Sequence, residues 1–247
     1  MPLAERVAQG GDNRRHFRTR QAVDHVLALA TGLDDAFRPK PHQLLRDADR
    51  TCPQRLGQLG DAQLTAMSVQ QPLPYSYNAL EPYIDARTME IHYSKHHATY
   101  TANMNKAAKG QAFESVPLLK IFTEVDKYPL ALRNNGGGFY NHYLYWEIMK
   151  PQGGGLPSEM LQKAIQEDFQ DFETFKAEFS KAALDRFGSG WAWLSVDEFV
   201  HLFVSFTSNP DNSFMRVIEK CNIAILCFDG CEHVYYLNYR NQDGYYV

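Results

Sequence analysis

The chain has 247 residues, 44% of them hydrophobic, so it is long enough to bury a sizeable core in one large domain or two small ones. A net charge of -4 and an isoelectric point near 6.1 exclude a broad basic surface that would bind nucleic acid or anionic lipid without sequence preference. Four cysteines are too few for a disulfide framework, and no apolar run approaches the roughly 18 residues of a membrane span. The composition therefore predicts a reduced, soluble, cytoplasmic protein with neither nucleic acid nor membrane among its partners.

The composition changes near residue 70. The first 68 residues hold nine Arg and one Lys but no Tyr or Trp, whereas all fourteen Tyr lie after them. This part is Arg-rich like an organelle transit peptide, but its eight Asp and Glu are atypical of one. An amphipathic helix over residues 22–33 is an alternative. Because so few aromatic residues are available for packing, residues 1–70 are predicted to form a mostly disordered extension.

Residues 71–155 are predicted to be helical. The segment QQPLPYSYNALEPYID indicates an extended start, because each Pro disfavours helix in the residue before it. A long helix should then run from Asp85 or Thr88 to Gly110, since no other Gly and no Pro interrupts it. A second helix should surround LRNNGGGFYNHYLYWEIMKP and end at Pro151. Two long helices with a short link predict a helical hairpin domain.

Residues 156–247 show a different pattern. Ser158 can cap one short helix, and phenylalanines recur at helical spacing from Phe172 to Phe187 until Gly188 ends a second helix. The segments WAWLSV and FVHLFVSF are rich in aromatic and β-branched residues, which predicts paired strands. The predicted fold class is therefore α+β, with an N-terminal long helical hairpin followed by an α+β domain that contains a small antiparallel sheet.

The segment MEIHYSKHHATY, which lies in the first predicted helix, holds three His and two Tyr. His92, His96 and Tyr100 are four residues apart, so they drift by only about 40° per step and share one helix face. His97 is predicted to point elsewhere. Taken alone, such a stripe is typical of a solvated face or of histidines satisfied within a core, and a metal site is the alternative.

Two further segments supply candidate ligands. His142 and Trp146 lie four residues apart on the second predicted helix, which by itself indicates core packing. The segment FDGCEH places Asp229 four residues before His233, so a carboxylate and an imidazole can converge on one ion. Two imidazoles from the hairpin would complete a set of three N ligands and one O ligand. Such a set suits Mn or Fe better than a soft thiolate site would.

Four segments, in this order, resemble the iron/manganese superoxide dismutase family. They are LPYSYNALEPYIDARTMEIHYSKHHATY, LRNNGGGFYNHYLYWEIM, FKAEFSKAALDRFGSGWAWL and EHVYYLNYRN. The resemblance covers about residues 72–247 and does not reach the extension. It implies conversion of superoxide to oxygen and hydrogen peroxide by a bound Mn or Fe, one ion per chain.

The resemblance also implies roles for individual residues. The implied metal ligands are His92, His142, Asp229 and His233. The implied catalytic pocket contains His96 and Tyr100, which would line the substrate funnel, and Trp146, which would form an apolar shell with Trp191 and Trp193. Lys95 matches a basic residue at the funnel rim. Glu232 and Tyr235 match positions that reach across a dimer interface, which implies a homodimer or tetramer.

Three positions around the implied pocket depart from the family pattern. Cys231 stands where the family has a Trp that walls the metal pocket. Family members also place a Gln against the metal-bound solvent from one of two positions, and this chain has Gly138 and Pro210 there. Asn209 and Asn212 are the alternative amide donors nearby. Gly138 favours the manganese-type or metal-tolerant branch.

Departures also occur near the end of the chain. Gln242 and Asp243 replace two arginines, which would weaken the attraction of an anion, and Val247 precedes the closing helix of the family, so the second domain is expected to be truncated. A non-catalytic or weakly active metal-binding relative is therefore an alternative to the enzyme, and errors of coding or assembly at the two ends are another. Cys227, Cys231 and His233 could also form part of a zinc site, with buried thiols as the plain alternative.

Overall fold

The computed structural model describes most of the chain after the N-terminal extension. The described ranges are 64–153, 156–185, 188–197, 199–215, 217–218 and 222–231. The expected disorder of residues 1–63 lies outside them. Among the helices in these ranges, none combines the length and the apolar character that a membrane crossing requires.

The first long helix consists of three consecutive segments. They are α1 (Ala86–Ile91), a π-helical segment (His92–His97) and α2 (Ala98–Ala108). Asp85 caps the N-terminus, because its carboxylate accepts a hydrogen bond from the Thr88 amide at 2.9 Å. Gly110 follows the C-terminus with a φ of +73°, a conformation that glycine adopts without steric cost. The predicted start and end of the helix are therefore correct.

The connection to the second long helix is not the short link that the sequence predicts. It contains helix α3 (Leu118–Thr123) and a 3₁₀ turn (Val125–Lys127), and it leads into α4 (Leu130–Ile148). Helix α3 packs against α4 and buries Leu118, Ile121 and Phe122 completely. Its apolar side chains make the connection part of the hydrophobic core.

Among the described residues, the C-terminal part combines two helices with a three-stranded sheet. The elements are α5 (Glu159–Phe169), α6 (Phe172–Asp185), β1 (Gly190–Asp197), β2 (Leu202–Ser208) and β3 (Asn222–Asp229). Ser158 caps α5 as predicted, accepting from the Leu161 amide at 3.3 Å. All pairings are antiparallel in the order β2-β1-β3, and the sequence alone did not identify β3. The register places Trp191 opposite Asp229.

Residues 64–70 pack on the helical hairpin. Ala66 is fully buried, and its amide donates to the Val116 carbonyl at 3.1 Å. The Leu118 amide donates to the Leu64 carbonyl at 2.9 Å, and these bonds form an isolated antiparallel bridge. Contact with the core therefore begins before the predicted boundary at residue 70. This contact is made by backbone hydrogen bonds and small buried side chains, so the scarcity of aromatic residues does not prevent residues 64–70 from packing.

Candidate metal centre

Three side chains from three different elements converge in the core. His92 belongs to the π-helical segment, His142 to α4, and Asp229 ends β3. The Asp229 Oδ2 atom lies 3.2 Å from His92 Nε2 and 3.9 Å from His142 Nε2. All three residues are buried, and one ligand atom of each lies within 4.8 Å of the others. Two imidazole nitrogens and one carboxylate oxygen at this spacing fit a borderline divalent or trivalent cation such as Fe or Mn.

The two histidines of this cluster are held in the state that binds metal. Burial lowers the pKa of His92 and of His142 well below the usual value for histidine, and neighbouring imidazoles add to the effect. Both rings are therefore neutral near pH 7. The Nδ1 atom of His142 lies 2.6 Å from the Gly138 carbonyl, which can only accept, so Nδ1 carries the proton. Nε2 is left with its lone pair toward Asp229, as metal ligation requires.

Asp229 is oriented by its own backbone neighbourhood. Its Oδ1 atom accepts a hydrogen bond from the Cys231 amide at 2.9 Å, while Oδ2 faces the two imidazoles. Asp229 on β3 is paired with Trp191 on the central strand β1. This register fixes the position along β3 from which the carboxylate enters the core. The short turn after β3 and the sheet register together aim the carboxylate at His92 and His142.

The π-helical segment changes which histidines share a face. In a π-helix the hydrogen bonds join residues five apart, and here the Ala98 amide reaches the Tyr93 carbonyl. His92 and His97, which are five apart, are consequently both buried, whereas His96 is only partly buried. The prediction that His97 points away is therefore wrong. No feature of the sequence distinguishes this π segment from an ordinary helix.

His97 contacts both His142, one of the candidate ligands, and Trp146. Its ring stacks on His142 with centroids 5.7 Å apart and an interplanar angle of 16°. The Trp146 Nε1 atom donates to His97 Nδ1 at 3.0 Å. Burial lowers the pKa of His97 to about 3, so this ring is neutral as well. His97 is thus a residue of the site that the spacing argument missed.

The three residues predicted to line the pocket all lie beside the cluster. The Trp146 indole meets the His92 ring edge-on, with centroids 4.8 Å apart. The Tyr100 ring lies 5.3 Å from that of His142, and the His96 ring lies 6.1 Å from that of His92. Burial raises the pKa of Tyr100, with further contributions from Cys231 and Asp229, and burial lowers the pKa of His96.

Two tryptophans of β1 form the opposite wall. The Trp191 ring meets that of His142 edge-on at 5.3 Å, and Trp193 stacks on Trp191 at 5.9 Å. Both indoles are almost completely buried, and Trp193 Nε1 donates to Thr207 Oγ1 at 2.9 Å. The imidazoles are therefore bordered by large aromatic rings, and the N–H group of Trp193 is bonded away from them.

Cys231 borders the site. Its amide holds Asp229, and burial together with the Asp229 carboxylate raises the pKa of its thiol. Burial likewise raises the pKa of Cys227 well above its usual value. Within the described ranges, neither thiol belongs to a cluster of three ligating groups, and His233, which the zinc alternative also needs, lies outside those ranges. The two thiols are buried and protonated.

Pro210 belongs to a loop that is fixed on α4 next to His142. The Pro210 carbonyl accepts from the Asn141 amide at 3.2 Å, and a Cβ atom on Gly137 would overlap this carbonyl. The Arg133 guanidinium forms two hydrogen bonds of 2.9 Å with the Asp211 carboxylate. A glycine at 137 and the ion pair thus allow the loop to approach the helix backbone closely.

The two asparagines considered as substitutes for glutamine differ in burial. Asn209 is exposed, with a φ of +53°, and so it does not reach a buried solvent ligand. Asn212 is fully buried, and its Oδ1 atom accepts from the Phe214 amide at 3.2 Å. Asn212 is therefore the one of the two whose amide lies in the interior.

Several predicted residues fall outside the described ranges. They are the fourth ligand His233, the interface residues Glu232 and Tyr235, and Gln242, Asp243 and Val247 near the end of the chain. Lys95 lies within the described ranges, on the exposed side of the π segment.

Comparisons with known proteins agree with this architecture. Two family models match the chain: the alpha-hairpin domain of iron/manganese superoxide dismutases over residues 70–150, and their C-terminal domain over residues 157–247. The chain belongs to the iron/manganese superoxide dismutase family. The resemblance of the four sequence segments and the predicted α+β fold class are thereby confirmed.

Curated relatives of this chain are named as superoxide dismutases. A Mn superoxide dismutase of Pseudomonas aeruginosa is 49% identical over 180 residues, which cover 71% of this chain and 87% of the relative. A Mn/Fe superoxide dismutase of Methylomonas sp. is 47% identical with the same coverage. An Fe superoxide dismutase of Raoultella planticola is 46% identical over 66% of this chain and 96% of the relative.

Proposed function

We propose that this chain is a superoxide dismutase that binds one Mn or Fe ion through His92, His142, Asp229 and His233. The observation that carries the proposal is the buried cluster of two neutral imidazoles and one carboxylate, whose ligand atoms lie within 4.8 Å of one another. Family membership and the names of the relatives supply the reaction, which converts two superoxide ions and two protons to oxygen and hydrogen peroxide.

The metal, when bound, supplies the change of oxidation state that takes an electron from one superoxide and gives it to another. The protein sets the surroundings of that ion. The Gly138 carbonyl and the Cys231 amide fix His142 and Asp229, so that the ligand atoms stay aimed at one point. The indoles of Trp146 and Trp191 exclude water from the ligands, which strengthens the electrostatic interactions inside the site.

Peroxide formation also needs protons, and we assign their transfer to two residues of the pocket. Burial raises the pKa of Tyr100, so its hydroxyl is protonated near pH 7 and can act as a hydrogen-bond donor at the pocket. His96 is partly buried beside His92 and thus connects the cluster with the surface. We assign Tyr100 and His96 to the pocket entrance, with Lys95 on the outside as a charge that attracts the superoxide anion.

A weakly active or non-catalytic metal-binding relative is the second candidate. The resemblance implies a bulky wall residue where this chain has Cys231. Neither Gly138 nor Pro210 has a side-chain amide that could form a hydrogen bond with a metal-bound solvent. Loss of such a fixed hydrogen bond would shift the potential of the metal without removing its ligands. In that case the Cys231→Trp, Pro210→Gln double variant should dismutate superoxide faster than the unmodified chain.

Metal content and superoxide dismutation, measured on the same purified sample, test both candidates. The enzyme is expected to hold about one Mn or Fe per chain and to dismutate superoxide, with the activity following the metal content from preparation to preparation. Metal without activity would support the non-catalytic relative. A chain that takes up neither Mn nor Fe would contradict both.

The oligomeric state and the location are further parts of the proposal. Glu232 and Tyr235 would form a homodimer or tetramer interface, so the mass in solution, measured by light scattering, should be at least twice the 28.3 kDa of one chain. A monomer at micromolar concentration would contradict this interface. The cytoplasmic location stays a prediction from the cysteine content.

A further inference from the structure

The amide of Gln70 forms hydrogen bonds with two residues of the first long helix. Its Nε2 atom lies 2.9 Å from the Tyr93 carbonyl and 3.2 Å from His97 Nδ1. Gln70 is the first residue that the family model matches, and it ends the N-terminal segment that packs on the hairpin. The segment before the family domain is thus joined to the π-helical part that carries His92.

His97 Nδ1 lies between two groups that can only donate. An indole N–H and a carboxamide N–H have no acceptor function, so both must donate to the Nδ1 lone pair. The proton of the neutral His97 ring is then on Nε2. The Trp146 indole at 3.0 Å and the Gln70 amide at 3.2 Å therefore fix the tautomer and the rotation of this ring together.

The His97 ring and the Trp146 indole in turn pack directly against the two histidine ligands. His97 lies parallel to His142 with centroids 5.7 Å apart, and Trp146 meets His92 edge-on at 4.8 Å. A change in the rotation of His97 would move the indole and alter the space available to both imidazoles. Groups that orient the ligands of a metal typically change its affinity by about 10–100-fold when they are removed.

We propose that Gln70 is a positioning residue of the metal centre, which acts through His97 and Trp146 on the orientation of His92 and His142. The proposal rests on the ligand set of the proposed function and adds to it a residue from the N-terminal edge of the family domain. It explains why an amide side chain is directed at an imidazole rather than at solvent.

The test uses the full-length chain loaded with Mn or Fe and measures the rate at which a chelator removes the metal. Gln70→Met keeps the length of the side chain but removes both donors, and it should release metal about tenfold faster, with a shifted visible absorption spectrum. Gln70→Glu, which places an acceptor against two acceptors, should have a larger effect. Gln71→Met is the matched control, because the Gln71 amide bonds only to the exposed Val69 carbonyl.

A double-mutant cycle separates positioning from a general loosening of the segment. In a His97→Phe background, which has no Nδ1 acceptor, Gln70→Met should change the release rate by less than twofold. The same tenfold effect in both backgrounds would show that Gln70 acts only as a structural clamp and would overturn the proposal.

Two other outcomes are also decisive. Equal metal release and equal spectra for the unmodified chain, Gln70→Met and Gln70→Glu would contradict the role of Gln70 while leaving the proposed function intact. An unmodified chain that takes up neither metal would contradict the proposed function, and the positioning role with it.

Discussion

The Tyr100 ring lies directly on the backbone of Gly138, so that a Cβ atom added at this glycine would come within 2.5 Å of the ring. The contact joins α2 to α4 one turn before His142, and Gly138 also supplies the carbonyl that fixes the His142 tautomer. Replacement of Gly138 by glutamine would therefore displace Tyr100 in this chain. A glutamine at position 138 would thus disturb Tyr100 as well as supply a side-chain amide.

The first prediction compares two alanine substitutions in the same helix. Gly138→Ala should lower the free energy of unfolding by about 1–3 kcal/mol and slow dismutation, because the Tyr100 ring must move. Gly136→Ala should be neutral or stabilising by up to about 1 kcal/mol, since its Cβ would meet Leu118 Cδ2 at 3.4 Å, Phe122 Cε1 at 3.6 Å and Met104 Sδ at 3.9 Å, all ordinary van der Waals contacts. Urea unfolding and activity assays measure both effects. Equal losses in the two variants would contradict the close contact with Tyr100.

A second prediction concerns the metal ligands. His142→Ala removes one of the clustered ligand atoms, and Asp229→Ala removes the carboxylate that faces both imidazoles, so each variant should hold much less than one ion per chain. His201→Ala is the matched control, because the His201 side chain is 68% exposed and pairs with Asp168 instead. Elemental analysis after identical loading gives the stoichiometry. Full metal content in either ligand variant would refute the assignment.

The ends of the helices and the candidate ligands could be predicted because each depends on local chemistry. Asp85 and Ser158 are capping residues whose side chains accept amide hydrogen bonds within the next turn, and no distant contact is needed to recognise them. His142 could be singled out as a candidate ligand because it lies in a family segment, and Asp229 because it precedes His233 by four residues. Their convergence, by contrast, depends on the antiparallel pairing of β1 with β3 and on the packing of the sheet against α4.

The features that could not be predicted depend on tertiary packing. The segment from His92 to His97 contains no residue that favours a π-helix over an α-helix, so periodicity gave the wrong direction for His97. Helix α3 was missed because its apolar residues are too few to show a helical period. The packing of residues 64–70 uses backbone hydrogen bonds to residues 116 and 118, which no side-chain pattern reveals.

A third prediction follows from the packing of the N-terminal segment. A chain that lacks residues 1–69 should melt lower than one that lacks residues 1–63, because the shorter chain also loses the bonds of Leu64 and Ala66 and the two bonds between Ser68 and Asn105, while both chains keep Gln70. Hydrogen bonds contribute about 1 kcal/mol each, so the loss of these four bonds should cost about 4 kcal/mol and lower the thermal midpoint by roughly 8–16 °C. Calorimetry on both truncations measures the difference. Identical midpoints would show that the segment contributes nothing to stability.

The last prediction concerns the dependence of stability on pH. Burial lowers the pKa of His97 to about 3, whereas the unfolded chain protonates this residue near pH 6.5. Between these two values the unfolded state binds more protons than the folded state, so the contribution of His97 to stability is complete above pH 6.5 and decreases as the pH falls. At pH 5 the decrease from this one residue should amount to about 2 kcal/mol. In urea unfolding of the metal-free chain at pH 7.5 and pH 5, His97→Phe should therefore lose about 2 kcal/mol less stability than the unmodified chain. An unchanged pH dependence in His97→Phe would mean that His97 is not held neutral by burial, and that the hydrogen bonds to its Nδ1 atom do not define its protonation state.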